Sequence, residues 1–269
     1  MLIELKNKKK INVEIIGEGT PIIFVHSYLW DLNMWEPQLK EFSKKYKCIG
    51  IDLWGHGKSE PLDKIENYSL EELSEDIIEI TEKLNIDKFI YVGLSVGAML
   101  GSYLGLNHGN KILKMVLMDG YSGDEPNCTK GKYFYMLDTI EKIKMIPEEM
   151  ADIITPMFFS KKENEEKGTL YKGFKNELLN KKAENIDTIV ALGRGIFGRE
   201  NILNRLENIK VPTMFMVGEE DIPRPVYESE EMGKLVKDSK VVIIPKGGHI
   251  SNLENAEFVN TKIEEFIGE

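Results

Sequence analysis

Lys88-Phe-Ile-Tyr-Val-Gly93-Leu94-Ser95-Val96-Gly97 is the stretch on which the fold turns. Its first half is a short, continuous apolar run, the pattern of a strand buried on both faces. The run stops at Gly93, and a helix of small residues is expected over 96–106. Between them, Gly93-Leu94-Ser95-Val96-Gly97 fits G-x-S-x-G. In that pattern the glycines allow a strained, close turn that lifts the serine hydroxyl clear of both elements. The helix N-terminus behind it favours developing negative charge. A serine in an ordinary strand–helix turn is the alternative, and the abrupt strand-to-helix context argues against it.

The same alternation extends outward. Upstream, 2–5 and 11–16 read as a hairpin around a lysine-rich turn, and Pro21-Ile-Ile-Phe-Val-His26 and Lys47-Cys-Ile-Gly-Ile-Asp52 read as buried strands with a helix over 34–45 between them. Ser69-Leu-Glu-Glu72 is a capping box opening a helix to about Leu84, with Leu73, Ile77, Ile80 and Leu84 on one face. Downstream, strands are expected at 112–118, 211–217 and 240–244, and helices at 226–236 and 256–267. Strand–helix alternation with buried-type strands predicts an α/β chain, a mostly parallel twisted sheet with helices on both faces. The alternation lapses between about Gly120 and Asn208, a Lys- and Glu-rich stretch with the apolar clusters Tyr133-Phe-Tyr-Met136 and Met157-Phe-Phe159. The expectation is a helical cap over 120–208, inserted after the strand ending near Met118, on a core made of 1–119 and 209–269. Such a cap would cover the carboxyl edge of the sheet, where parallel sheets bind ligands.

Composition narrows the class. The 269 residues are 42% hydrophobic and 30% charged, which excludes a disordered or low-complexity chain. A net charge of −10 disfavours nucleic acid and anionic membrane as partners. No apolar run approaches the roughly 18 residues of a membrane span, and charges occupy the N-terminus where a signal peptide needs an apolar core. A cytoplasmic location is expected, with Cys48 and Cys128 as free thiols. The four histidines form no metal-binding pattern, so neither a metal nor a cofactor is expected.

A serine hydroxyl needs a base, and the base needs an orienting acid. His249, in Gly247-Gly248-His249, follows the strand at 240–244, which places it at the same sheet edge as Ser95. Asp221, in Gly218-Glu-Glu-Asp221, follows the strand ending at Val217; Glu219, Glu220 and Asp119 are its rivals. His108 reads as a helix-end residue. Ser95…Asp221…His249 is the chain order of one triad class.

Phe24-Val-His-Ser-Tyr28, Asp52-Leu-Trp-Gly-His-Gly-Lys-Ser59, the Ser95 turn, Gly218-Glu-Glu-Asp221 and Gly248-His249 together resemble the α/β-hydrolase fold superfamily, in its group of small serine esterases, enol-lactonases and cofactor-free haloperoxidase-like perhydrolases. The resemblance covers essentially the whole chain. It implies catalysis by Ser95, Asp221 and His249, with an oxyanion hole from the backbone N–H groups of Tyr28 and Val96. It also implies structural roles for His26 and His56 and a loop-anchoring role for Asp52. The family usually has His-Gly where this chain has His26-Ser27, so the glycine that eases the turn is missing, and a positive φ at Ser27 would cost about 1–2 kcal/mol.

Leu29 and Trp30 near the oxyanion loop, with Tyr133, Met136 and Phe158 of the cap, are expected to line a mostly apolar substrate pocket. The function implied is hydrolysis of a small-molecule carboxylic ester, lactone or thioester through an acyl-enzyme, by a monomer or homodimer. Perhydrolysis or carbon–carbon bond hydrolysis would use the same triad, and a slow-turnover sensor of the same fold is the alternative from another class. Gly193-Arg-Gly-Ile-Phe-Gly198 mimics a dinucleotide fingerprint after the short apolar run Ile189-Val-Ala-Leu192, with no second strand–helix–strand unit around it. In the hydrolase reading it is the end of the cap returning to the sheet.

Overall fold

The computed structural model describes residues 1–63, 65 and 67–268. Its strands are β1 (Leu2–Glu4), β2 (Lys10–Ile16), β3 (Pro21–Val25), β4 (Lys47–Ile51), β5 (Phe89–Leu94), β6 (Ile112–Met118), β7 (Thr213–Gly218) and β8 (Lys240–Ile244). They hydrogen-bond into one sheet in the order β1-β2-β4-β3-β5-β6-β7-β8. The hairpin β1–β2 pairs antiparallel and β2 joins β4 antiparallel; the pairings from β4 through β8 are parallel. From β3 the chain goes to β4 on one side and then crosses to β5 on the other. That reversal opens a crevice at the carboxyl ends of β3 and β5, the usual ligand position in such sheets.

The helices are α1 (Glu36–Phe42), α2 (Leu70–Lys83), α3 (Val96–Asn107), α4 (Asn127–Ile143), α5 (Glu148–Ile154), α6 (Lys161–Glu166), α7 (Thr169–Leu179), α8 (Ala183–Phe197), α9 (Val226–Leu235), α10 (Ser251–Glu254) and α11 (Ala256–Gly268). The capping box of α2 forms in both directions: the Glu72 N–H donates to Ser69 Oγ and the Ser69 N–H to Glu72 Oε2. The apolar face behind it buries Leu73, Ile77 and Ile80 fully, each worth about 1.5–3 kcal/mol. Every residue of β5 is buried. Helix α3 can lie close on β5 and β6 because Gly101 and Gly105 face them: a Cβ at Gly105 would stand 2.7 Å from Met115 Cε. Between β6 and β7 the described residues are helical, α4 to α8 with 3-10 turns at Thr155–Phe158 and Leu203–Asn208.

Two local expectations are revised. The helix expected over 34–45 is a 3-10 turn, Leu32–Trp35, followed by the shorter α1. Asp31 accepts from the Asn33 N–H, and Pro37, which lacks an N–H, can sit only in the first turn of the helix that follows. The run 189–192, which could pass for a strand, is the middle of α8, and so are Gly193 and Gly195. These glycines serve close packing: a Cβ at Gly193 would lie 2.6 Å from Tyr28 Oη, and one at Gly195 would collide with the Tyr68 carbonyl. Among the described residues no strand leads into them, since α7 is the element before α8, so no phosphate loop is built.

Candidate active site

Ser95 closes β5 and opens α3 with φ +55° and ψ −112°, a region L-residues rarely occupy. Such strain costs about 1–3 kcal/mol and persists only where the surroundings enforce it. The Ser95 N–H is held by the Met118 carbonyl at 2.8 Å. A side chain at Gly93 would strike the Gly97 carbonyl, and one at Gly97 the Val25 carbonyl. Both glycines are therefore required by the turn, which leaves the serine at a sheet edge and 8% exposed.

The loops after β7 and β8 bring Asp221 and His249 together. His249 Nδ1 lies 2.8 Å from Asp221 Oδ2. A carboxylate can only accept, so Nδ1 carries the proton and Nε2 keeps a free lone pair. Asp221 Oδ1 takes the Arg224 N–H at 2.9 Å, which fixes the carboxylate from its other side. Burial lowers the imidazole pKa to about 4, with Asp119 opposing and Arg224 assisting. Burial pushes the Asp221 carboxyl upward, against the N–H and charge of Arg224.

No Ser95–His249 hydrogen bond forms among the described residues, but both side chains wall the same cavity. Catalytic hydrogen bonds commonly tighten only with substrate present. Asp119, at the end of β6, does not bond His249. It accepts from the Gly218 N–H at 2.8 Å and from Ser251 Oγ at 2.6 Å, bracing the loops that carry Asp221 and His249. Glu219 and Glu220 lie away from the histidine: they cap the Lys246 and Lys161 N–H groups. His108 caps α3 and meets Glu75.

The loop after β3 forms another wall. Ser27 is not among the positive-φ residues; the left-handed residue of this loop is Leu29, at φ +70°. The Leu29 N–H donates to His56 Nε2 at 3.2 Å, and the Leu53 N–H to His26 Nε2 at 2.8 Å. Both imidazoles thus carry their proton on Nδ1, donated to Trp54 O and Ser27 O. Burial holds both below the ordinary histidine range, as neutral struts. Asp52 accepts from the Leu32 and Lys58 N–H groups and from Asn12 Nδ2, pinning this loop to its neighbour. The Tyr28 N–H has no protein acceptor among the described residues, and Val96 is the first residue of α3, where no intrahelical acceptor exists.

Ser95 and His249 share a cavity of about 780 Å³ of empty space, including its open mouth. Leu29, Tyr133, Met136 and Phe158 line it, the last with its ring 5.4 Å from the His249 ring. Trp30 does not line it. Its indole stacks on Phe174 at 4.4 Å, beside Phe158 and Phe159, and so packs the helical segment against the loop. Glu125, Arg199 and Arg224 also line the cavity, and sequence reasoning passed over all three. The only local hint is Arg224, placed three residues beyond an aspartate that could accept its N–H.

A central parallel sheet, a strained serine between strand and helix, and an Asp–His pair on the same edge together define an α/β hydrolase. Comparison with known proteins agrees. A sequence profile for the alpha/beta hydrolase fold matches residues 20–143. The chain is 31% identical over 265 residues to the AB hydrolase superfamily protein YisY of Bacillus subtilis, covering 94% of each. It is 25% identical over 267 residues to 3-oxoadipate enol-lactonase 1 of Acinetobacter baylyi, covering 96% of this chain and 92% of the other. Its fold matches that of a thermophilic esterase from Thermogutta terrifontis with a TM-score of 0.89 at 21% identity, over 99% of this chain and 97% of that one. The chain belongs to the α/β-hydrolase superfamily.

Proposed function

We propose that this protein is a serine hydrolase that cleaves a carboxylic ester or lactone through an acyl-enzyme on Ser95. The observation that carries the reading is the shared cavity: a serine on a strained turn faces the same space as a histidine whose Nδ1–H is held by Asp221. His249 Nε2 takes the Ser95 proton as Oγ attacks the carbonyl carbon, and returns it to the leaving oxygen. The backbone N–H groups of Tyr28 and Val96 hold the oxyanion; such donors are worth about 2.7–4 kcal/mol each. Water, deprotonated by the same histidine, then attacks the acyl carbon and frees Ser95. The segment 120–208 acts as a cap whose Tyr133, Met136 and Phe158 shape the pocket. Resemblance to an enol-lactonase over nearly the full length supports this substrate class.

The test is turnover of p-nitrophenyl esters, acetate through octanoate, by wild type and Ser95→Ala. Turnover by the wild type that falls at least a thousandfold in the variant is expected. Equal turnover by both would overturn the reading.

A further inference from the structure

The cavity beside Ser95 is mostly apolar, but three charged side chains stand in its wall. Glu125, Arg199 and Arg224 reach its wall, and all three are buried. Glu125 accepts Arg224 Nη2 on both oxygens, at 2.8 Å each, and Arg199 Nη1 at 3.0 Å. Glu228 lies 3.6 Å from Arg224 Nη1, beyond hydrogen-bond reach. Burial raises its carboxyl pKa to about 7, so near neutral pH it carries only part of a charge. Two guanidinium groups are thus gathered on Glu125, with Glu228 and Asp221 the other carboxyl groups beside Arg224.

Donors are in surplus in this cluster. Arg199 Nε and Nη2 and Arg224 Nη1 are buried with no hydrogen-bond partner among the described residues. Buried donors left unpaired are costly, and charged ones most of all. A purely structural role accounts for part of the cluster. Glu125 lies just beyond β6, Arg199 just beyond α8 and Arg224 just beyond Asp221, so one carboxylate gathers both ends of the helical segment and the Asp221 loop. That role uses Arg199 Nη1 and Arg224 Nη2, and Arg224 Nη1 has the ion pair with Glu228 Oε2, so Arg199 Nε and Nη2 are the nitrogens it leaves without a partner. Arg199 also borders an outer polar hollow, and Arg224 an outer groove beside Tyr227. Both arginines also line the cavity that holds Ser95 and His249.

Building on the Ser95 hydrolase reading, we propose that Arg199 and Arg224 form an anion subsite of this cavity, and that the substrate is an ester or lactone bearing a free carboxylate on its acyl part. A carboxylate supplies a negative charge beside two guanidinium groups and acceptor lone pairs for the unpartnered Arg199 donors. The apolar wall of Met136, Leu137, Ile140 and Phe158 suits the methylene chain between that carboxylate and the reacting carbonyl.

The test compares monoethyl esters of glutarate, adipate and pimelate with ethyl hexanoate, heptanoate and octanoate, followed by proton release at constant pH. The wild type is expected to favour at least one charged ester over its neutral partner by tenfold or more in kcat/KM. Arg199→Gln should lose ten- to a hundredfold on that ester, mainly through KM, and stay within about threefold on the neutral one. Preference for every neutral ester, or equal losses on both, would overturn the subsite. Arg199→Lys, which keeps the charge, should recover part of the loss and serves if the glutamine variant fails to fold.

Calorimetric titration of Ser95→Ala with adipate separates this proposal from the one it rests on. Binding that vanishes in Ser95→Ala/Arg199→Gln, with no ester hydrolysed by the wild type, would uphold the subsite and sink the serine mechanism. Ester hydrolysis that needs Ser95, with no charge preference and no adipate binding, would do the reverse.

Discussion

Ser251 Oγ donates to Asp119 Oδ2 at 2.6 Å, joining the end of β6 to the turn just after His249 across 132 residues of sequence. The second oxygen of Asp119 takes the Gly218 N–H, where β7 ends and the Asp221 loop begins. One buried carboxylate thus braces both loops of the Asp221–His249 pair, without itself bonding the histidine.

Asp119→Ala should leave two buried donors unpaired. At about 1–3 kcal/mol each, the expected loss is about 2–6 kcal/mol of unfolding free energy, measured by denaturant titration. Asp119→Asn should cost less, because its single carbonyl oxygen keeps one bond and the Ser251 hydroxyl can rotate to accept from the new amide. Equal stability of Asp119→Ala and wild type would contradict the bracing role.

The difference between Asp119 and Asp221 marks where sequence reading stops. Both follow strand ends, and period and position place both at the carboxyl edge of the sheet. Which of them meets His249 depends on how two loops fold against each other, a long-range outcome that local patterns do not encode. The Ser95 turn was legible because its determinants are adjacent: an apolar run, two glycines and a small-residue helix. Trp30 was misjudged because proximity to the oxyanion loop says nothing about which way a side chain faces; it points into Phe174. The left-handed residue of this loop is Leu29, two residues after the position where the family's glycine is replaced by Ser27, and its N–H reaches His56. The Glu125–Arg199–Arg224 cluster joins residues 74 and 99 positions apart, so no window of sequence contains it.

Replacing Asp221 with Asn should leave the fold intact and remove the acceptor that holds His249 in its Nδ1–H form. By analogy with other Ser-His-Asp enzymes the expected fall in kcat is about a thousand- to ten-thousandfold with little change in KM. Steady-state kinetics on a p-nitrophenyl ester measures it; a loss below tenfold would mean that another group orients the imidazole.

The pH dependence follows from the buried His249. Its pKa is lowered from 6.5 to about 4, so the free base persists well below neutrality. kcat/KM should stay flat from pH 8 to about 5 and fall as pH approaches 4. The stability effect has the same sense: the fold favours the neutral ring, so this contribution is full above 6.5 and fades as pH falls from 6.5 towards 4. A pH–rate profile with its acid limb at 6.5 or above would contradict the burial argument.

Trp30 and Phe158 should separate stability from specificity. Trp30→Ala removes the stacking on Phe174 and, for a half-buried indole, should cost about 2–3 kcal/mol while leaving the acyl-length optimum in place. Phe158→Ala should instead move that optimum to longer chains, because Phe158 lines the cavity beside His249. Thermal melts and the p-nitrophenyl ester series read the two effects; a shifted optimum in Trp30→Ala would return the indole to the pocket.

The most direct test of the central claim is mass spectrometry of the protein after exposure to a fluorophosphonate, which reacts with activated serines. A single adduct on the peptide containing Ser95 is predicted, absent in Ser95→Ala and formed far more slowly in His249→Ala. A wild-type protein that stays unmodified, or an adduct that persists in Ser95→Ala, would contradict Ser95 as the nucleophile.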